Sequence, residues 1–147
     1  MSAAATTNRV TLPAQSYSVQ QPGITVNAAI PVGGMELWKR EAIQKVIAFG
    51  NLRPNWDSRG SQAPNRWVRA AAIDVLLGVP DDSLPAPRIV PTSGGGLHFE
   101  WSTGDRELEI SVEPDCRIEA LRVEHGMPIE DDSVSGLLAF FGWLASR

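Results

Sequence analysis

Two groups of polar side chains in this 147-residue chain have types and spacings that could support chemistry. One is the segment Asn55-Trp56-Asp57 with Arg59 two residues later, which places an amide and a carboxylate beside a large apolar ring. The other is a set of glutamates close to His98 in the sequence: Glu100, Glu107, Glu109 and Glu119. Carboxylates grouped in this way suit a basic partner, a metal ion or acid/base catalysis.

The Asn55-Trp56-Asp57 segment lies in a polar, turn-rich stretch and has two interpretations. In the one we favour, Trp56 packs on the core while the Asn and Asp side chains bond to nearby backbone N–H groups, so that the loop is clamped. In the other, Asp57 frames a site for a small anion or a peptide with Arg53 and Arg59, and Trp56 forms its wall. No base, nucleophile or metal ligand is recognisable beside this loop, and we predict no catalytic residue.

The glutamates are positioned by predicted strands, because the hydrophobic period changes to two near residue 97. Apolar and polar residues alternate over 97–101 and again over 108–112, on either side of a turn that contains Gly104. A third strand is predicted over 117–124, where imperfect alternation indicates a bulge or burial on both faces. A short edge strand is predicted over 88–90, beside prolines that an edge tolerates.

Pairing of the first two strands through Thr103-Gly104 or Gly104-Asp105 places their apolar residues on one face and their glutamates on the other. Glu100 then faces Glu107 or Glu109 closely enough to repel it. Three hypotheses fit this face: a solvated surface that resists edge pairing, an acidic interface for a basic partner, or a carboxylate site for a metal or acid/base chemistry. His98 shares the face, but one histidine among carboxylates is weak evidence for a metal, and we predict neither a metal nor a cofactor.

Three helices are predicted around these strands. The first ends near Gly50 and follows an apolar stripe, with Lys39 on the polar side between its members: Met35, Trp38, Ala42, Val46 and Phe49. The second runs from Pro64, which is predicted to take the first helical position, to about Leu77. The third is preceded by three N-cap candidates: Asp131, Asp132 and Ser133.

The third helix has an apolar surface wider than one packing face needs, because Phe140 and Trp143 lie beside its main stripe. One interpretation is burial under the N-terminal segment or the first helix. The other is a contact patch for another protein or for a second copy of the chain, which would give a homodimer.

These elements predict an α+β fold, in which a small antiparallel meander of three or four strands is covered on one face by about three helices. The single domain is predicted over 35–147. Residues 1–34 are rich in Ala, Ser, Thr, Gln, Pro and Gly and are predicted to form a flexible arm. The arm either stays solvated, or orders on a partner or adds an edge strand.

The charge is unevenly distributed along the chain, whose formal net charge is −4. Residues 98–132 contain eleven acidic and three basic residues, which gives −8, whereas 1–97 contain nine basic and six acidic residues, which gives +3. This distribution argues against nucleic acid as the main partner. The lack of a signal sequence and the single Cys116 favour the cytoplasm, and the longest apolar run is about half of the roughly 20 residues that span a membrane.

The Asn55-Trp56-Asp57 loop is followed by a second motif in which Gly96 precedes Glu100-Trp101 on a predicted strand. On these residues the segment 52–123, about half of the chain, resembles a group of small uncharacterised bacterial proteins with an Asn-Trp-Asp loop and a Gly-x-x-x-Glu-Trp strand. The resemblance implies a compact bacterial domain and carries no catalytic assignment. Arg59 stands where that group leads us to expect an aromatic residue.

We therefore predict a non-enzymatic protein-interaction module, of the inhibitor, immunity or antitoxin-like kind. The predicted partner-binding residues are Glu100, Glu107, Glu109, Glu119, Phe140 and Trp143. The alternative is a small-molecule or metal-dependent enzyme whose site combines the Asn-Trp-Asp loop with the sheet carboxylates. A flat acidic face would favour binding, and a closed pocket with converging carboxylates would favour the enzyme.

Overall fold

The computed structural model describes residues 10–12, 35–130 and 136–146. Their main elements are an antiparallel sheet and helices that pack on one side of it. The helices are α1 (Leu37–Ala48), which continues into a 3₁₀ turn (Phe49–Asn51), α2 (Arg66–Leu77) and α3 (Leu137–Ala145). The strands are β1 (Val10–Leu12), β2 (Arg88–Thr92), β3 (Gly96–Thr103), β4 (Arg106–Val112), β5 (Ile118–Glu124) and β6 (Met127–Pro128). The predicted α+β class is confirmed.

The strands follow the order β1-β5-β4-β3-β2, and the two-residue β6 also pairs with β5. The path has five strands where three or four were predicted, because residues 10–12 add β1 to the edge of the meander. An edge strand is one of the alternatives considered for the N-terminal arm. The rest of the segment 1–34 lies outside the described residues.

The β3–β4 hairpin closes through Gly104-Asp105, because Thr103 pairs with Arg106 across the turn. Gly104 has a φ of 59°, a conformation that costs glycine little. The inward residues of the two strands are at most 1% exposed: Leu97, Phe99, Trp101, Leu108, Ile110 and Val112. The alternation in the sequence thus predicted the core face of the hairpin correctly.

β5 pairs with β4 over seven consecutive residue pairs, which excludes a bulge as the reason for its imperfect alternation. The other interpretation, burial on both faces, fits Val123, which shares the outward phase of Glu107 and is 9% exposed. The alternation of apolar and polar residues breaks at Arg122, which points to the core side of the sheet like Ile118 and Ala120 and is only 5% exposed. Its guanidinium lies 5.6 Å from the ring centre of Phe140 and 5.4 Å from that of Trp143, both on α3. A cation between aromatic faces is attracted by their π electrons, which explains an arginine at a core position.

α1 packs on the core through Ala42, Ile43 and Val46, which are at most 7% exposed. The buried stripe is therefore rotated from the predicted one, and it includes a residue that the prediction omitted, Ile43. Three predicted members lie only partly buried at the margin of the core: Met35, Trp38 and Phe49.

α2 begins after the N-cap residue Asn65, whose Oδ1 accepts hydrogen bonds of 2.9 Å from the backbone N–H groups of Trp67 and Val68. The first helical residue is Arg66, so the prediction that Pro64 occupies this position is wrong by two residues. The amide oxygen of asparagine satisfies two N–H groups that the helix itself cannot pair, which favours the later start.

α3 begins at Leu137, directly after Gly136. The N-cap candidates Asp131, Asp132 and Ser133 lie outside the described residues. Among the helices of the described segments, none combines the length and the apolar character needed to cross a membrane.

Lys39 is buried, with 4% of its surface exposed, although its position in the sequence indicated the polar side of α1. Its Nζ donates to the carbonyl oxygen of Val79 and lies 3.1 Å from Oδ1 of Asp81. Nearby, Oε1 of Glu36 accepts a 3.2 Å hydrogen bond from the backbone N–H of Asp82. The start of α1 is therefore tied to the connector between α2 and β2.

We expect Lys39→Met to lower the free energy of unfolding by about 1–3 kcal/mol, because the carbonyl of Val79 loses its donor while the apolar stem is kept. Urea denaturation followed by tryptophan fluorescence measures the change. The matched control is Arg40→Met on the exposed side of the same helix, which should stay within about 0.5 kcal/mol of the wild type. Equal stabilities of the two variants would contradict the anchoring role.

Candidate functional site

The outer face of the sheet, formed by the outward side chains of β2 to β5, carries all four glutamates predicted to bind a partner. The described helices pack their buried side chains on the opposite side, against the inward residues of the sheet. One cross-strand row at the centre of the outer face is Val90, His98, Ser111 and Glu119. The neighbouring row is Arg88, Glu100, Glu109 and Leu121.

The most convergent group on this face is the histidine–glutamate cluster, which consists of His98, Glu100 and Glu109. Nε2 of His98 lies 4.0 Å from Oε2 of Glu100 and 3.9 Å from Oε2 of Glu109. One potential ligand atom from each of the three residues lies within 4.8 Å of the other two. The side chains are 17%, 35% and 28% exposed, respectively, so the cluster is half-buried and open to solvent.

The orientation of the imidazole is set by a residue outside the cluster. Nδ1 of His98 lies 3.0 Å from Oγ of Ser111, its cross-strand partner on β4. Ser111 is 8% exposed, so this contact is well shielded from water. Holding one ring nitrogen in this way directs the other, Nε2, towards the two carboxylates.

Glu100 and Glu109 stand directly opposite each other on β3 and β4, an arrangement that repels when both are ionised. Arg88 on β2 is the cross-strand partner of Glu100, and its Nη1 donates to Oε2 of that residue. Because the Arg88 side chain is 68% exposed, water weakens this ion pair. The arginine therefore offsets the repulsion in part, and the centre of the face keeps an excess of negative charge.

The other two glutamates flank the cluster on opposite sides. Glu107 is exposed and lies in the next row, opposite Ser102 and Val123. Glu119 is half-buried and lies opposite Ser111 on β4. The outer face is thus acidic across β3, β4 and β5, with its densest charge at the centre.

The Asn-Trp-Asp loop is held by hydrogen bonds to its own backbone. Asn55 accepts a 2.6 Å bond on Oδ1 from the N–H of Gly60, and its own N–H donates to the carbonyl of Ser61 at 2.8 Å. Nε1 of Trp56 donates to the carbonyl of Gln62 at 3.2 Å, and the ring is half-buried. The bonds to nearby backbone groups fit the clamped loop that we favoured from the sequence, whereas Trp56 is not among the described apolar residues that pack against the core.

Asp57 uses both carboxylate oxygens within the fold. Oδ1 accepts from the backbone N–H groups of Arg59 (2.9 Å) and Ser61 (3.2 Å), and Oδ2 accepts from the hydroxyls of Ser61 (2.6 Å) and Ser93 (2.8 Å). The hydrogen bond from the Ser61 hydroxyl is the largest cause that holds the pKa of Asp57 well below its ordinary value. The carboxylate is therefore ionised and serves as a structural acceptor between the loop and the β2–β3 turn.

The loop and the sheet carboxylates do not form one site. The loop reaches the β2–β3 turn, where Oγ of Ser61 accepts a 3.0 Å bond from the N–H of Gly94. Glu100 lies four residues beyond Gly96, the first residue of β3, which corresponds to about 13 Å along an extended strand. A site that combined the two groups, as the enzyme alternative requires, would have to span this separation.

Three consecutive glycines, two before β3 and one at its first position, shape the turn to which the loop is attached. Gly94 and Gly95 have φ values of 90° and 97°, and a Cβ on Gly96 would lie 2.7 Å from the carbonyl oxygen of Val112. Both the turn and the close approach of β3 to β4 at this end therefore require glycine.

Phe140, predicted to contact a partner, is 1% exposed and lies in the core, where its ring has no surface to offer. Trp143 is partly buried, and its ring centre lies 5.1 Å from the Arg106 guanidinium and 5.4 Å from that of Arg122. Leu138 is the most exposed large apolar residue of α3, at 68%. The helix therefore uses most of its apolar surface against the sheet.

Arg106 was not singled out from the sequence, yet it holds the end of α3. Its Nη1 donates to the carbonyl oxygens of Trp143 (2.7 Å) and Ser146 (2.8 Å), and its Nε lies 2.6 Å from Oε1 of Glu124. The sequence contains no periodic signal for this role, because Arg106 follows a turn and resembles any charged residue there.

Cys116 lies half-buried in the β4–β5 turn with a φ of 69°. Burial raises the pKa of its thiol, and the charge of Asp115 adds to the shift in the direction expected from the sequence. The thiol is therefore protonated at neutral pH, which disfavours nucleophilic attack.

No family model, curated protein or solved structure was found to match this chain. The functional interpretation consequently rests on the residues and their geometry, and the resemblance to bacterial proteins with an Asn-Trp-Asp loop stays a prediction.

We expect the free energy of unfolding of Asp57→Asn to fall less steeply with decreasing pH than that of the wild type. Because folding lowers the pKa of Asp57, the unfolded chain takes up a proton first as the pH falls below about 4, so the stabilisation is complete above that pH and is lost below it. The variant should be less stable than the wild type at neutral pH. Its proton uptake on unfolding between pH 5 and 2 should be smaller by up to about one proton.

Denaturant titrations at several pH values measure this effect. The matched control is Asp82→Asn, which removes an exposed carboxylate that accepts none of the hydrogen bonds seen within the described residues. If the free energy of unfolding of Asp57→Asn fell with pH as steeply as that of the wild type, the carboxylate would not hold the loop.

Proposed function

We propose that this protein is a non-enzymatic interaction module whose outer face binds a basic segment of another protein. The observation that carries the proposal is the placement of Glu100, Glu107, Glu109 and Glu119 on one sheet face, opposite the face that the described helices cover. Complementary charge would steer a basic partner to this face and orient it there.

The orientation of the basic residues strengthens this proposal. Within 98–132 the three arginines are Arg106, Arg117 and Arg122. Arg106 and Arg122 contact α3 on the helical side of the sheet, so their charges are not presented on the outer face. Arg117 precedes β5 and is exposed. The outer face is therefore more acidic than the composition of its strands suggests, and it suits a basic protein better than a nucleic acid.

The biological role that we propose is that of an inhibitor, immunity or antitoxin-like protein in the bacterial cytoplasm. Small size and an acidic binding face support it by analogy, because complementary charge suits a protein that covers a basic surface of its target. The single cysteine and the resemblance to small bacterial proteins support the compartment.

The double variant Glu107→Lys/Glu109→Lys tests the proposal. We expect it to reduce affinity for the native partner at least tenfold, because it replaces attraction by repulsion at the centre and flank of the face. The partner is first isolated from the source cell and cross-linked to the wild-type chain to locate the contact. Binding of the purified partner is then measured by calorimetry at low and high salt, and the wild-type affinity should fall as salt rises.

The matched control is Glu41→Lys/Glu130→Lys, which makes the same change in net charge with two exposed residues outside β2 to β5. This control should keep near-wild-type affinity, and thermal unfolding should show that both double variants are folded. Equal affinity of the wild type and Glu107→Lys/Glu109→Lys, or cross-links confined to other surfaces, would exclude the outer face as the binding site.

A further inference from the structure

We propose that His98, Glu100 and Glu109 form a binding site for one divalent first-row transition-metal ion. One potential ligand atom from each of three side chains lies within 4.8 Å of the other two, and one of these atoms is an imidazole nitrogen rather than a carboxylate oxygen. The site needs no partner protein, so it extends beyond the interaction proposed above.

The distances between the ligand atoms are close to those of a bound site. Tetrahedral zinc with ligands at 2.0–2.1 Å holds neighbouring ligand atoms about 3.4 Å apart. Nε2 of His98 lies 3.9 and 4.0 Å from the two carboxylate oxygens, so these two edges need to shorten by only about half an ångström. The third edge, between the two glutamates, is at most 4.8 Å. Both glutamate side chains are more than a quarter exposed and have room for such a movement.

The position of Ser111 supports ligation by His98 in particular. A histidine that binds a metal usually bonds through its second ring nitrogen to a fixed polar group, which sets the tautomer and the ring orientation. Ser111 lies outside the three ligands, is 8% exposed and stands 3.0 Å from Nδ1 of His98. Nε2 then faces Glu100 and Glu109, the direction it needs in order to bind a metal together with them.

Charge also favours a cation at this point. Glu100 and Glu109 are direct cross-strand neighbours, and an ion between them would replace repulsion by two attractive contacts. Arg88 partly supplies that role now through Oε2 of Glu100. Because the Arg88 side chain is 68% exposed, water weakens its ion pair, and Arg88 competes with a metal for Oε2 of Glu100 without blocking the site.

The ligand set selects the class of metal. Imidazole nitrogen suits zinc, iron and copper, whereas magnesium and calcium prefer oxygen ligands alone. Two carboxylates and one imidazole therefore fit a transition metal, and the open side of the outer face leaves positions for water or a group from a bound molecule.

Calorimetric titration of the tag-free full-length chain with Zn²⁺ tests the site, with Mg²⁺ as the comparison ion. We expect one Zn²⁺ per chain and no comparable binding of Mg²⁺. His98→Gln and Glu109→Gln should each weaken Zn²⁺ binding at least about tenfold, and Ser111→Ala by a similar factor. Co²⁺ provides a second readout, because its visible spectrum reports nitrogen ligation and should change in His98→Gln.

Two further variants separate a specific site from a generally acidic surface. Glu107→Gln removes a carboxylate from the same face but outside the cluster, and it should leave the affinity near that of the wild type. Arg88→Gln removes the competing cation and should tighten Zn²⁺ binding, a gain that partial unfolding cannot produce. Melting curves without metal confirm that each variant is folded.

The proposal is overturned if the wild type does not bind Zn²⁺, if His98→Gln binds as tightly as the wild type, or if Glu107→Gln loses as much affinity as Glu109→Gln. If His98→Gln or Glu109→Gln does not fold, failure of Arg88→Gln to tighten binding overturns it as well. Because these measurements use no protein partner, their failure and the failure of the proposed interaction are separate results.

Discussion

The pairing of β3 with β4 decides which side chains meet the helices and which meet the solvent. Seven residue pairs run from Leu97 opposite Val112 to Thr103 opposite Arg106 without interruption. A shift of this register by one residue would exchange the two faces, placing His98 and Glu100 against the core and Phe99 in water. Because burying unpaired charged side chains costs a large amount of free energy, the shifted register is strongly disfavoured relative to the observed one. The core, the acidic outer face and the histidine–glutamate cluster all depend on it.

Three basic side chains take part in the packing of this fold. Lys39 holds the connector before β2, Arg106 pairs with carbonyl groups at the end of α3, and Arg122 lies beneath two aromatic rings. Lys39 and Arg106 donate hydrogen bonds to backbone carbonyl oxygens, and Arg122 makes cation–π contacts with aromatic rings. A consequence is charge segregation: Lys39, Arg106 and Arg122 are used on the helical side of the sheet, whereas Glu100, Glu107, Glu109 and Glu119 lie on the other side, where Arg88 is placed on β2. This segregation supports the binding of a positive group, whether it belongs to a protein or is a metal ion.

The clamped loop and the acidic face have separate tasks. Asp57 connects the loop to the β2–β3 turn through Ser61 and Ser93, where the chain also requires glycine. That connection positions the first residues of β3, and β3 in turn carries His98 and Glu100. The loop thus contributes to the outer face only through the backbone that it holds, which is why the motif that is most conspicuous in the sequence is not part of the candidate site.

The sequence alone determined the features that depend on periodicity and local chemistry. The period of two predicted the faces of β3 and β4, and glycine near residue 104 predicted their turn, because alternation and turn preference are properties of neighbouring residues. Tertiary structure decided the inward direction of Lys39 and Arg122, since a charged residue is buried only where distant groups such as Val79 or Phe140 receive it. It also decided that Glu100 faces Glu109 and that His98 points between them. Register, rotation of the ring and the contact with Ser111 arise when separate strands meet, and no local pattern in the chain encodes them.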